Sequence, residues 1–198
     1  METMIKSTIL SQMAETQAVM AAMASDVKLV QTLETVAEAC VKSLGQRGKL
    51  LFMGNGGSAA DSQHLAGELV SRFAYDRPGL SAVALTVDTS ILTAIGNDYG
   101  YESLFSRQVE ALGQPGDVLF GFTTSGKSPN ILKALRTARA MGLVTVGMTG
   151  NRGEAITQLV DHCVEIPSAC TPNIQEGHIV VGHIICGLIE ASIFPKPQ

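Results

Sequence analysis

Apolar residues along this chain fall into short unbroken runs, and glycine-rich or hydroxyl-rich segments separate them. Residues 1–46 carry no such run. They are rich in Ala and Met and helical in pattern, and Ser25-Asp26 marks a break between two helices. From there two kinds of pattern alternate. "KLLFM" (49–53) reads as a buried strand, followed by the turn "GNGGS" (54–58) and a helix reaching Phe73. "SAVALTV" (81–87) is a second strand, leading to helical segments over 89–96 and 101–111. "DVLFGF" (117–122) is a third, and a helix runs from Ser128 to Met141. "LVTVGMT" (143–149) and "HCVEIP" (162–167) supply the last two strands, and a long helix covers 173–193. Strands that are apolar throughout and separated by helices predict a parallel sheet covered on both faces. Such sheets bind ligands beyond the carboxyl ends of their strands, where the strand order reverses. The polar loops 54–58, 97–100 and 123–128 fall at such ends and are candidates for one shared pocket.

Composition narrows the partners. The chain has 198 residues, enough for one α/β domain with a full core. At 45% hydrophobic and 16% charged it is globular and rather apolar for a free-standing surface, which points to buried subunit interfaces. A net charge of −4 gives no general attraction for nucleic acid or anionic lipid, so an anionic ligand must be held locally by amides and hydroxyls. Cys40, Cys163, Cys170 and Cys186 lack C-x-x-C spacing and sit among apolar residues, as reduced cytoplasmic cysteines do. Glu2, Lys6 and Glu15 interrupt the N-terminus, which does not read as a signal peptide. The most apolar run, "HIVVGHIICGLIEASIF" (178–194), holds two histidines and a glutamate. It reads as a helix buried in a core or between subunits, too short and too polar to span a bilayer.

"GFTTSGKS" (121–128) matches the phosphate-cradling pattern G-x-x-x-x-G-K-[ST] of nucleotide triphosphatases. Three features oppose that reading. The loop follows the third strand. Pro129 stands where a phosphate-binding backbone N–H is needed, and proline has none. The later strands offer no aspartate to hold Mg²⁺. Ser128-Pro129 instead reads as an N-cap with proline at the first helical position, so the amides and positive end of a helix face the loop. With Thr123, Thr124, Ser125 and Ser128 around it, the loop suits a monophosphate and needs no nucleotide. An ordinary hydroxyl-rich capped turn would show the same residues.

"QHLAGEL" places His64 and Glu68 at i and i+4 on one helix face, a spacing that serves a metal clamp and a surface hydrogen bond alike. In "IQEGHIVVGH", Gln175, His178 and His183 interrupt an apolar helix and need partners there. Gln175 and His183 are roughly 12 Å apart along a regular helix. They could share one ion only by leaning together, from a distorted helix start, or from different subunits.

Three long segments, "GNGGSAADSQHLAGELVSRF", "LTAIGNDYGYESLFSRQVEALGQPGDVLFGFTTSGKSPNI" and "IQEGHIVVGH", resemble the phosphoheptose isomerases of the sugar-isomerase (SIS) domain superfamily. The resemblance covers essentially the whole chain. It implies a three-layer sandwich with a five-stranded parallel sheet (the flavodoxin-like SIS fold) plus N-terminal helices. It implies a single domain over 1–198, with residues 1–46 as a helical extension packing on the domain and on subunit interfaces. The assembly would be a cytoplasmic homotetramer with interfacial active sites, acting on sedoheptulose 7-phosphate. The phosphate would sit on Thr123, Thr124, Ser125 and Ser128. The sugar would meet Asn55, Gly56, Gly57, Asn97 and Asp98, with Glu68 and Gln175 also at the substrate. In relatives that carry Zn²⁺, one ion per subunit, the ligands match His64, Glu68, Gln175 and His183. Glu68 and His183 match the proposed general base and acid, and Asp61 is a candidate supporting residue.

Two departures stand out. Thr123 replaces a serine common in relatives, and Asn173 replaces a basic residue. The chain also widely resembles close SIS relatives that are tetrameric regulators binding the replication initiator protein. Those lack the acid–base pair and the intact phosphate loop, whereas Glu68, His183 and "TSGKS" are present here. The implied chemistry moves a proton from C1 to C2 of a ketose through a cis-enediol, with a carboxylate and an imidazole as proton carriers and Zn²⁺ as Lewis acid. Glu68 and His183 are then asked to act both as metal ligands and as proton carriers.

Overall fold

The computed structural model describes residues 2–196. Two helices open the chain, α1 (Glu2–Ser25) and α2 (Val27–Gly45). They part at Asp26, whose carboxylate accepts from the Leu29 N–H and caps α2. Strand β1 (Leu50–Gly54), α3 (Gly57–Val70), β2 (Ala82–Ala84), α4 (Thr89–Tyr99), a single 3₁₀ turn (Tyr101–Ser103) and α5 (Ser106–Leu112) follow. The chain continues through β3 (Val118–Phe122), α6 (Pro129–Ala140), β4 (Val144–Gly150), α7 (Glu154–Thr157), β5 (His162–Ile166) and α8 (Thr171–Ile193).

All four strand pairings are parallel, and the order is β2-β1-β3-β4-β5. This is the flavodoxin-like order, with its switch point between β1 and β3. Alternate side chains of each strand feed two separate cores. Phe52, Phe120, Phe122, Met148 and Ile166 face α2, α3 and α8, and the rings of Phe52 and Phe120 stack 4.9 Å apart. Leu51, Met53 and Leu119 face α4, α5 and α6 on the other side. Val118 to Phe122 are buried without exception, which is why these strands read as unbroken apolar runs rather than alternating ones.

Two element ends differ from the sequence reading. The apolar run 81–87 pairs only over Ala82–Ala84. A last edge bond joins the Leu85 N–H to the Phe52 carbonyl, and the chain then turns away, leaving Val87 exposed. An apolar run favours a strand, but the strand lasts only as long as the chain runs beside its one neighbour, β1. Helix α3 stops at Val70, short of Phe73. Arg77 causes this: its guanidinium donates to the carbonyls of Glu68, Leu69 and Ser71, taking over the last free acceptors of the helix. Arg77 is held in turn by buried Glu190 of α8, with Nε to Oε1 at 3.0 Å and both side chains almost fully enclosed. Glu190 also accepts from the N–H groups of Phe73 and Ala74.

Helix α8 is the only helix among the described residues long and apolar enough to cross a membrane, at 23 residues rather than the shorter run visible in the sequence. Its inner face buries His178, Val181, Gly182, Ile185, Ile189 and Glu190 against the sheet and α3, as a core helix does. Asn173 also turns inward here. Its amide donates to Thr16 of α1 and to Glu176, so this departure from relatives serves helix docking.

Burial would raise the Glu190 pKa, but the two amides and Arg77 outweigh it and hold the carboxyl below its ordinary value. Its contribution to stability is therefore complete above the ordinary glutamate pKa and is lost as pH falls through the lowered one. Glu190→Gln leaves the Arg77 charge buried and unpaired, so chemical denaturation at pH 7 should show a loss of about 3–5 kcal/mol. The gap to the wild type should narrow below pH 4.

Candidate active site

Helices α3 and α8 leave the sheet side by side and run in the same direction. The Gln175 amide of α8 lies against Gly57 at the start of α3, Gly182 lies against Leu65, and Gly187 lies against Phe73. A Cβ at Gly57 or Gly182 would collide with the facing side chain, so these glycines set the close approach of the two helices. On this seam His64, Glu68 and His183 meet. The Nε2 atoms of His64 and His183 are 2.8 Å apart, and His64 Nε2 is 3.2 Å from Glu68 Oε1. One donor atom from each of the three lies within 4.8 Å of the others. Two imidazole nitrogens and a carboxylate at this spacing fit the donor set and shell of one Zn²⁺ ion. Among the described residues, Glu68 Oε2 takes no side-chain hydrogen bond. Gln175 packs beside Gly57, two turns away from His64 along the seam.

Asp61, one turn before His64, has a buried Oδ2 with no hydrogen-bond partner among the described residues. Burial raises its pKa, and nearby His64 partly offsets this. His178, two turns into α8, is fully buried. Its ring stands edge-on to Phe122, and Nε2 lies 3.3 Å from the Thr149 carbonyl. Burial pushes its pKa down to about 4, against the hydrogen bond to Thr149, so this histidine is neutral in the folded protein and is no proton carrier.

Loop 123–128 closes tightly after β3. Thr123 Oγ1 bonds Ser128 Oγ at 2.9 Å and reaches Ser125 Oγ at 3.4 Å, while the Lys127 N–H donates to Ser125 Oγ. Ser128 occupies the N-cap of α6 with extended backbone, and Pro129 follows at the first helical position. The Ser128 hydroxyl does not cap the helix as its position predicts. It turns to Thr123 instead; Pro129 has no N–H and the Ile131 N–H is taken by Asn130 Oδ1, so in the first turn of α6 it is the Asn130 N–H that keeps its capacity for an outside acceptor. Gly126 has φ +67°, and a Cβ there would lie 2.5 Å from Gly153 Cα, so the loop's path requires glycine. Behind it opens a cavity of about 260 Å³ lined by Thr124, Ser125, Lys127, Asn151, Arg152 and Ser168.

Residues at or beside the three loops named from the sequence meet at Asn55. Asn55, just past β1, exchanges two hydrogen bonds with Asn130 in the first turn of α6. Tyr101, just past the 97–100 segment, donates to Asn55 Oδ1 at 2.9 Å. Gly56 (φ +57°) turns the chain from Asn55 into α3. Asn97 and Asp98 are exposed at the end of α4, and among the described residues their side chains bond only each other. Asn130, Tyr101 and the Arg77–Glu190 pair were not legible as site or support residues. Their sequence neighbourhoods carry no spacing that marks them.

Comparison with known proteins agrees with this arrangement. The profile of the SIS domain matches residues 12–150. The chain is 66% identical over 188 residues to the phosphoheptose isomerase of Burkholderia pseudomallei (strain 1710b), covering 95% of each chain. It is 53% identical over 190 residues to that of Aneurinibacillus thermoaerophilus, covering 96% of this chain and 94% of the relative. The chain belongs to the phosphoheptose isomerase family of SIS-domain proteins. It is accordingly an enzyme of the isomerase class. The solved phosphoheptose isomerase structure from Neisseria gonorrhoeae superposes with a TM-score of 0.89 at 39% identity, covering 94% of this chain and 99% of that one.

His178 gives a pH test of this family member. The unfolded histidine takes up a proton near its ordinary pKa of 6.5 and the folded one only near 4, so stability should fall as pH drops through that window. The full effect is about 3 kcal/mol. Denaturation curves between pH 7 and pH 4 should show the decline in the wild type and a shallower one in His178→Asn.

Proposed function

We propose that this protein interconverts sedoheptulose 7-phosphate and D-glycero-D-manno-heptose 7-phosphate through a cis-enediol, supplying heptose for lipopolysaccharide or capsule. The observation that carries the reading is the meeting of a carboxylate and two imidazoles, His64, Glu68 and His183, on helices that start at the same sheet edge as a hydroxyl-rich loop. The names of relatives at 53–66% identity supply the substrate.

In this reading the phosphate rests on the Asn130 N–H at the head of α6 and on the hydroxyls of Thr123, Thr124, Ser125 and Ser128. A single phosphate needs no nucleotide and no bridging Mg²⁺. Asn55, Gly56 and Gly57 line the path of the sugar towards the α3–α8 seam, with Asn97 and Asp98 beyond Tyr101. Glu68 removes the proton from C1 with the oxygen not engaged by His64, and His183 delivers a proton to the carbonyl oxygen at C2, giving the cis-enediol. Glu68 returns its proton to C2 while the O1 hydroxyl gives its proton back to His183 as the carbonyl re-forms at C1, so both side chains end as they began and no proton is gained or lost overall. His64, Glu68 and His183 would hold Zn²⁺, with Gln175 as a fourth donor from this or a neighbouring subunit. Bound there, the ion supplies Lewis acidity to the sugar oxygens. Asp61 supports His64 from one turn away.

The single domain, with residues 1–46 as an extension, belongs to a homotetramer in this reading. Two exposed apolar faces support it. Val180, Ile184 and Leu188 form a stripe at i, i+4 and i+8 on the outer side of α8. Met4, Ile5, Ile9, Leu10 and Met13 stand out from α1. A cytoplasmic location follows from a phosphorylated substrate and agrees with Cys40 and Cys186, thiols held inert by burial.

Incubation with sedoheptulose 7-phosphate should yield the aldose phosphate. No product from the wild type, with zinc supplied, overturns the proposal. Glu68→Gln should lower kcat by about 10²–10⁴-fold while light scattering still reports a tetramer. Activity near wild type in that variant excludes Glu68 as the base. Chelation should lower activity and zinc should restore it, whereas full activity in metal-free protein removes the ion from the reaction.

A further inference from the structure

The amide of Asn55 is held in one orientation by groups that have no place in the reaction. The chain of constraint begins at a backbone N–H, which can only donate. Ile131 N–H donates to Asn130 Oδ1 at 3.0 Å, and this fixes which end of the Asn130 amide is oxygen. Asn130 is buried, with 2% of its surface exposed. Its remaining hydrogen bonds then follow without choice. Asn55 Nδ2 donates to Asn130 Oδ1 at 3.0 Å, and Asn130 Nδ2 donates to Asn55 Oδ1 at 2.9 Å. Tyr101 Oη donates to the same Asn55 oxygen at 2.9 Å. A carbonyl oxygen has two lone pairs, and both are now taken. One N–H of Asn55 is left over.

From this we infer that Asn130 and Tyr101 are positioning residues that make Asn55 an obligate hydrogen-bond donor, able to recognise an oxygen acceptor on the substrate and unable to accept from a hydroxyl. The inference rests on the proposed sugar-phosphate isomerase reading. A ketose and its aldose isomer present a carbonyl or enediol oxygen where the carbon skeleton changes, and a donor fixed beforehand stabilises negative charge there without reorganising. An amide free to turn over would serve a hydroxyl and an oxyanion equally. The same three residues tie the ends of β1, the 3₁₀ turn and α6 together. Asn55 is thus oriented by the elements that carry the phosphate loop.

Two measurements test this. The first needs no substrate: a neutron map of the deuterium-exchanged protein should show the two deuterons of the Asn55 amide on the nitrogen facing Asn130 Oδ1, with one directed into the open site. Deuterons on the atom facing Tyr101 overturn the inference whatever the enzyme does. The second is kinetic, with sedoheptulose 7-phosphate. Asn130→Ala should lower kcat/KM by about 10- to 100-fold, and Tyr101→Phe by about 2- to 10-fold. Both should leave the inhibition constant of inorganic phosphate within twofold of wild type. Asn55→Ala/Asn130→Ala should be no worse than Asn55→Ala, because Asn130 acts only through Asn55. Losses that multiply in the double variant, or wild-type kcat/KM in both single variants, contradict it. Tyr101→Phe keeps the kinetic test open if Asn130→Ala does not fold. An inactive wild type would sink the isomerase reading while leaving the neutron result to decide the orientation.

Discussion

The parallel pairing of β1 with β3 is the constraint on which the rest of this structure depends. Five residues of each strand lie in register, from Leu50 opposite Val118 to Gly54 opposite Phe122. The helices that follow them leave to opposite faces: α3 joins the core beneath Phe52 and Phe120, and α6 joins the one beneath Leu51 and Leu119. Two adjacent strands whose chains part in this way leave a crevice between their carboxyl ends. Asn55 and loop 123–128 stand on its two banks, and the Asn55–Asn130 amide pair bridges it.

The crevice gains its chemistry from the second helix on the α3 face. Because α8 runs parallel to α3 and meets it at glycines, residues eight apart on one helix face residues seven apart on the other. The approach is close enough for His183 to meet His64, and Glu68 lies one turn further along the same face. The far end of that seam is locked by Arg77 and Glu190, which close α3 and bind it to α8. A buried ion pair of this kind adds little net stability over an apolar pair. What it does here is fix the length of α3 and its register against α8.

Much of this was legible in the sequence because both signals involved are local. Buried parallel strands read as continuous apolar runs, and all five stand within a residue or two of their predicted starts. The start of α6 was legible because proline after Ser128 is a local statement about a missing N–H. His64 and Glu68 share a helix face by spacing alone. The limits have the same origin. The short reach of β2 depends on where the chain turns away from β1, and the early end of α3 depends on Arg77, held by a glutamate 113 residues away. The meeting of His183 with His64 spans 119 residues and follows from helix packing. Asn130 and Tyr101 carry no motif of their own. Ser128 shows the reverse case: its position predicts a capping hydroxyl, and a tertiary partner, Thr123, takes that hydroxyl away.

The most direct test is a crystal structure of the Glu68→Gln variant with sedoheptulose 7-phosphate bound. The phosphate is expected on the hydroxyls of Thr123, Thr124, Ser125 and Ser128 and the Asn130 N–H at the head of α6, with C1 and C2 of the sugar between residue 68 and His183. A phosphate found instead in the cavity beside Lys127 and Arg152, with the sugar directed away from the α3–α8 seam, would contradict a reaction carried out at the β1–β3 crevice.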